Sequence, residues 1–138
     1  MVAMRRFLLD TGIAGHFVHR RRGVYERTRQ ESLRGNRIGI CPPVLGELWN
    51  GVEYSLSRER NAQQLRRMLP EMLLWSFDKG AAETYGRLAA QLRRIGRLMQ
   101  QIDIQIAAIA ISMGNCTVVT RDSDFSAIPG LTIENWVS

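Results

Sequence analysis

Short, nearly continuous apolar runs alternate along this chain with longer stretches whose apolar positions recur every three or four residues. The most apolar stretch is residues 104–113, where Ile104, Ile106, Ala107, Ala108, Ile109, Ala110, Ile111 and Met113 leave hardly any polar face. A helix apolar all round is a buried helix, and Gly114-Asn115 supplies its stop signal. Cys116-Thr117-Val118-Val119-Thr120 follows as a short β-branched run and reads as a buried strand. Near the start, Phe7-Leu8-Leu9 is a strand closed by Asp10, after which Thr11-Gly12-Ile13 opens a short helix to about His19. Val24–Leu33 fits an amphipathic helix, Gly35-Asn36 a turn, and Ile38-Gly39-Ile40-Cys41 a second strand. Pro42-Pro43 then begins a helix, with Pro43 at a first-turn position. Ser57 is placed to cap a helix carrying Leu65, Met68 and Leu69. Residues 72–77 read as a third strand, and Asp78 as the cap of a long helix over residues 81–95. Residues 131–134 form a possible edge strand.

Strands alternating with helical connections predict a mostly parallel sheet of four to five short strands, covered on both faces as a three-layer α/β/α fold. In such a sheet the strand C-termini and the following helix N-termini share one edge, where ligands bind. Asp10 ends the first strand, Glu47 lies in the first turns after the second, Asp103 opens the apolar helix, and Asp122 and Asp124 follow the fourth. Five of the 13 acidic residues therefore converge on one rim. Singly, an acid near a helix start favours the helix dipole and one in a turn favours the turn. Neither reason explains the whole set on one edge without matching bases. Crowded carboxylates repel unless a cation sits among them, and Mg²⁺ or Mn²⁺ takes such oxygen ligands.

Composition narrows the chemistry. The chain has 138 residues with 45% hydrophobic and 23% charged, which suits one globular domain over residues 1–138. The N-terminal segment is too short in apolar residues for a secretory leader, and no run approaches the ~20 residues of a membrane span. A cytoplasmic protein with no membrane partner is expected. Cys41 and Cys116 read as buried small hydrophobes in a reducing compartment. Net charge is +6, and Lys79 is the only lysine. Arginine pairs bidentately with phosphate and stacks on bases, so a nucleic acid is a candidate substrate. Arg20, Arg21, Arg22, Arg97 and Arg121 are candidate phosphate contacts. There is no Ser–His or Cys–His pair in a motif and no P-loop. A carboxylate-held metal that polarises a phosphate and activates water remains, giving metal-dependent phosphodiester hydrolysis.

The ordered segments Phe7-Leu8-Leu9-Asp10-Thr11, Glu47-Leu48 with Gly51, Asp103 with Ile106-Ala107-Ala108, and Val119-Thr120-Arg121-Asp122-Ser123-Asp124-Phe125 resemble the successive signatures of PIN-domain ribonucleases. The stretch from Gly130-Leu131 to Asn135-Trp136 is similar to the tail of the VapC-type toxins. The resemblance implies a PIN-like fold, a Mg²⁺ or Mn²⁺ site, and endonuclease action on RNA. It also implies a homodimer and a small antitoxin whose C-terminal arm covers the active site. Asp10 and Asp103 map onto metal-binding aspartates and Glu47 onto the second acid. Asp122 maps onto the fourth acid, with Asp124 as the competing choice. Thr11 and Thr120 map onto residues supporting the site. Gly12 departs from the family, which usually has Asn there.

Two other readings of the residues compete. A phosphoacceptor receiver domain also gathers acids at such an edge, and needs a lysine there. A non-catalytic nucleic-acid or partner-binding module would use the basic surface alone. His16 and His19 share a helical face and read as solvated or RNA-facing. Trp49 and Tyr54 read as packing or dimer-interface residues.

Overall fold

The computed structural model describes residues 3–138. Its centre is β1 (Arg6–Leu9), in which Phe7, Leu8 and Leu9 are fully buried. Strands buried on both faces read as continuous apolar runs. β2 (Arg37–Ile40) pairs with β1 on one side and β4 (Cys116–Val119) on the other. β3 (Leu73–Leu74) and β5 (Thr132–Glu134) are the edges, giving the order β3-β2-β1-β4-β5 with every pair parallel.

Helices α1 (Thr11–Val18) and α2 (Val24–Leu33) join β1 to β2, and α3 (Pro42–Tyr54) and α4 (Arg58–Met68) join β2 to β3. The chain then returns through α5 (Lys79–Arg94) and α6 (Gln101–Met113) to β4 on the far side of β1. Right-handed crossovers in opposite directions put the two helix sets on opposite faces. This gives the expected α/β/α layering. The reversal of direction between β1 and β4 leaves a crevice at their C-terminal ends, the switch point at which open parallel sheets bind ligands.

α6 is buried as its composition predicts, with Ile104 and Ile106 through Ala110 enclosed. Two boundaries differ from expectation. Cys41 is not the end of β2 but the residue capping α3 in extended conformation. The third strand is two residues long, not six, and both residues are exposed. Its only partner, β2, ends at Ile40, so after Trp75 N–H bonds to Ile40 O no partner remains. Ser57 stands at its predicted cap position but makes no side-chain capping bond. Asp78 does cap α5, accepting from Ala81 N at 2.9 Å. No helix among the described residues is long and apolar enough to cross a membrane.

Candidate active site

Asp10 sits at the switch point. Its backbone N–H bonds to Val119 O, extending the β1–β4 pairing by one residue. Its carboxylate caps α1, accepting from Ile13 N at 2.9 Å. Burial pushes the Asp10 carboxyl up, a hydrogen bond from Thr120 and the one from Ile13 pull it back, and the charge of Asp122 raises it again. Thr120 is 4% exposed, and its Oγ1 also accepts from Asp122 N at 2.9 Å. One buried hydroxyl thus fixes Asp10 and the loop carrying Asp122.

Asp103 stands in the first turn of α6, and its side chain is not the helix cap. It is pushed up from 3.8 to about 6, first by burial, then by the charges of Asp122, Asp10, Glu47 and Asp124 in that order. The charges of the other four acids therefore all reach Asp103 across the crevice. Glu47 is exposed on α3, where its Oε1 accepts from the Thr11 hydroxyl. The two acids after β4 have different surroundings. Asp124 is paired with Arg97, Nη2 to Oδ1 at 3.1 Å. Asp122 has no ion pair among the described residues, is the first-ranked charge on Asp103, and accepts from Asp124 N at 2.9 Å.

The five candidate phosphate contacts are not equivalent. Arg97 is committed to Asp124, Arg20 lies over the Tyr25 ring at 4.3 Å, and Arg22 Nε donates to Ser138 O at 3.1 Å. Arg21 and Arg121 remain at the rim, where their charges reach His16. Sequence reasoning missed the Arg97–Asp124 and Thr11–Glu47 contacts, which join residues 27 and 36 apart with no local signal.

Other chemistries find no support here. Gly80, next to Lys79, lies against Ser112 at the opposite end of α6 from Asp103. Nine residues of helix rise about 13 Å, so the lysine of a receiver site is at the wrong end. Burial pushes the Cys41 thiol up to about 11 and the Cys116 thiol to about 12, leaving neither as a thiolate.

The donors at the rim are carboxylate oxygens, the hard ligands that suit Mg²⁺ or Mn²⁺. Their mutual repulsion is what a cation would relieve. Among the described residues no group of three or more acids, histidines or cysteines is placed to hold a metal ion. Mg²⁺ is usually held by one or two carboxylates and keeps several waters, so an open cluster fits it.

A parallel α/β sheet with an acidic cluster at its switch point is the architecture of the PIN domain, and the PIN domain model matches residues 7–131. The chain is 31% identical over 131 residues to Ribonuclease VapC2 of Rickettsia felis, covering 94% of this chain and 97% of that protein. It is 32% identical over 133 residues to the tRNA(fMet)-specific endonuclease VapC of Salmonella typhimurium, covering 96% and 99%. Its fold superposes on DNA-bound VapBC from Salmonella typhimurium with a TM-score of 0.87, at 32% identity and covering 96% of this chain and 99% of that one. VapBC2 from Rickettsia felis, bound to a promoter DNA fragment, gives 0.86 at 30% identity, covering 95% and 98%. The chain belongs to the PIN-domain family and, within it, to the VapC ribonucleases.

Proposed function

We propose that this chain is an endoribonuclease, the toxin of a toxin–antitoxin pair, whose acidic cluster works with Mg²⁺ or Mn²⁺. The observation that carries this reading is the gathering of Asp10, Glu47 and Asp122 around Asp103 at the switch point, close enough for their charges, with burial, to raise it to about 6. Asp10 and Asp103 are the metal-holding residues in this reading, and Asp122 is preferred to Asp124 as the fourth acid because Arg97 already neutralises Asp124. A divalent ion held there supplies charge to the scissile phosphate and lowers the pKa of a bound water. Thr120 keeps the Asp10 carboxylate oriented. With Oε1 of Glu47 taken by Thr11, its Oε2 is the atom free to accept a proton from the attacking water. The arginines left at the rim, Arg21 and Arg121, face the substrate backbone.

The VapBC complexes among the structural relatives support an antitoxin partner, and this reading places a small antitoxin over the acidic edge. A homodimer is proposed on the exposed apolar side chains at the end of α3, Tyr54 (92% exposed) and Leu56.

Asp10→Asn and Asp103→Asn should fold, as read by circular dichroism, yet lose RNA cleavage by at least about a hundredfold. Chelation of divalent ions should abolish wild-type cleavage, and Mg²⁺ or Mn²⁺ should restore it. Full activity in either variant, or in chelator, would overturn the site assignment.

A further inference from the structure

The loop 19–23 treats its three arginines differently. Arg20 and Arg22 have left-handed backbone, with φ of 53° and 60°, a conformation that L side chains rarely adopt. Both are anchored. Arg20 stacks over Tyr25, and Arg22 holds Ser138 through its Nε and through its carbonyl, which accepts from Ser138 N at 3.0 Å and Ser138 Oγ at 2.9 Å. Arg21, between them, makes none of the ion pairs among the described residues.

Arg21 instead lines a cleft of about 370 Å³ between α1 and α3, together with Thr11, His16, His19 and Glu47. Gly15 and Gly51 lie along that cleft, and a Cβ at either would meet nothing within 4 Å. Both glycines are helical, where the residue type is unfavourable. Neither internal packing nor backbone conformation asks for glycine here, and the two leave the floor of the cleft open to a group from outside the chain. His16 and His19 also line the cleft. The walls combine an unpaired guanidinium, two imidazole side chains and an open floor, directly beside the Thr11–Glu47 end of the acidic cluster.

We propose that Arg21, held in place by its two anchored neighbours, binds an RNA phosphodiester adjacent to the acidic cluster, with the attached ribose lying over Gly15 and Gly51 against His16. The inference rests on the ribonuclease reading and adds a substrate subsite to it. A guanidinium fork matches phosphate bidentately, and its positive charge in the cleft that also carries Glu47 offsets the repulsion between that carboxylate and a bound anion.

The test is binding of a single-stranded RNA by the full chain in an Asp103→Asn background, with chelator present so that nothing is cleaved. Arg21→Gln should weaken binding about tenfold and flatten the slope of log K against log salt by about 0.7, the value for one single-strand phosphate. Arg60→Gln removes the same charge from the exposed surface of α4 and should change neither quantity appreciably. Arg21→Lys should keep most of the salt slope while losing affinity. Gly15→Leu should weaken binding with no change of charge and no loss of thermal stability. In the cleaving protein, Arg21→Gln should raise KM more than it lowers kcat. If Arg21→Gln matches Arg60→Gln while the wild type still cleaves RNA, the subsite is wrong and the ribonuclease reading stands. If the wild type neither binds nor cleaves RNA, both fall.

Discussion

Asp103 is a carboxylate held where its charge is unwelcome. Burial and four neighbouring acids raise it from 3.8 to about 6. A carboxyl whose folded value lies above its unfolded value binds its proton more tightly when folded, so stability falls as pH rises through that window. The penalty is absent near pH 4 and complete above about pH 6. Asp103→Asn removes the charge at nearly constant volume. It should raise the Tm of the metal-free protein at pH 7 by about 5 °C, with the gain shrinking as pH falls from 6 towards 4. Thermal unfolding in chelator across pH 4–8 measures this; a gain that is the same at both ends would rule out repulsion as the cause. Asp10 shows the complementary device. Its burial is offset by two hydrogen bonds, from Thr120 and from the N-terminus of α1. Gly12 adds a local difference, since a Cβ there would lie 3.9 Å from Asp10 Oδ1.

At the scale of elements, the site depends on rigid supports placed behind it. α6 packs against α5 and β4 with its apolar sides, so Asp103 is carried on a buried post and not on a loop. β1 and β4 set Asp10 and Thr120 side by side through their parallel register, Leu9 against Val119. β2 places α3, and hence Glu47, and it has a tight spot of its own. A Cβ on Gly39 would come within 2.6 Å of Trp75, which crosses the strand there. Glycine inside a strand marks such close approach. Gly39→Ala should displace Trp75, cost about 1–3 kcal/mol, and change the tryptophan fluorescence. An unchanged spectrum and stability would mean that Trp75 does not rest on β2.

At the scale of the whole molecule, one ionic network ties the chain's distant parts together. Glu134, at the end of β5, takes Arg5 at 2.6 Å and Arg27 at 3.4 Å, and accepts from Trp136 Nε1 at 3.0 Å. Arg27 also holds Glu31, which is 2% exposed and accepts from Asn36 Nδ2 at 2.9 Å. Burial alone would raise the Glu31 carboxyl, but the hydrogen bonds from Arg27 and Asn36 and the charges of Arg27 and Arg34 bring it below its usual value. Its sign is opposite to that of Asp103: the stability it contributes is present above the unfolded value of 4.5 and lost as pH falls through the lower folded one. Glu31→Ala leaves Arg27 and Asn36 without their buried partner and should cost about 3 kcal/mol, about 10 °C in Tm, without removing the acidic cluster. A loss under about 1 kcal/mol by chemical denaturation would show that the network is not a tie.

The apolar pattern by itself determined the order of strands and helices, the burial of α6, and the placing of Asp10, Glu47, Asp103 and Asp122 at one edge. These were legible because periodicity dictates local structure, and the parallel sheet then sends every strand end to the same rim. The shortness of β3 was not legible, since the mostly apolar run 72–77 carries no record of where the partner strand stops. Nor were the Arg97–Asp124 pair, the Thr11–Glu47 contact or the division of labour among Arg20, Arg21 and Arg22. Those depend on which helix faces meet and how a strained loop turns its side chains, and such distances are set only when the layers pack. The sequence says that acids gather at one edge. The tertiary structure decides which of them lack a partner.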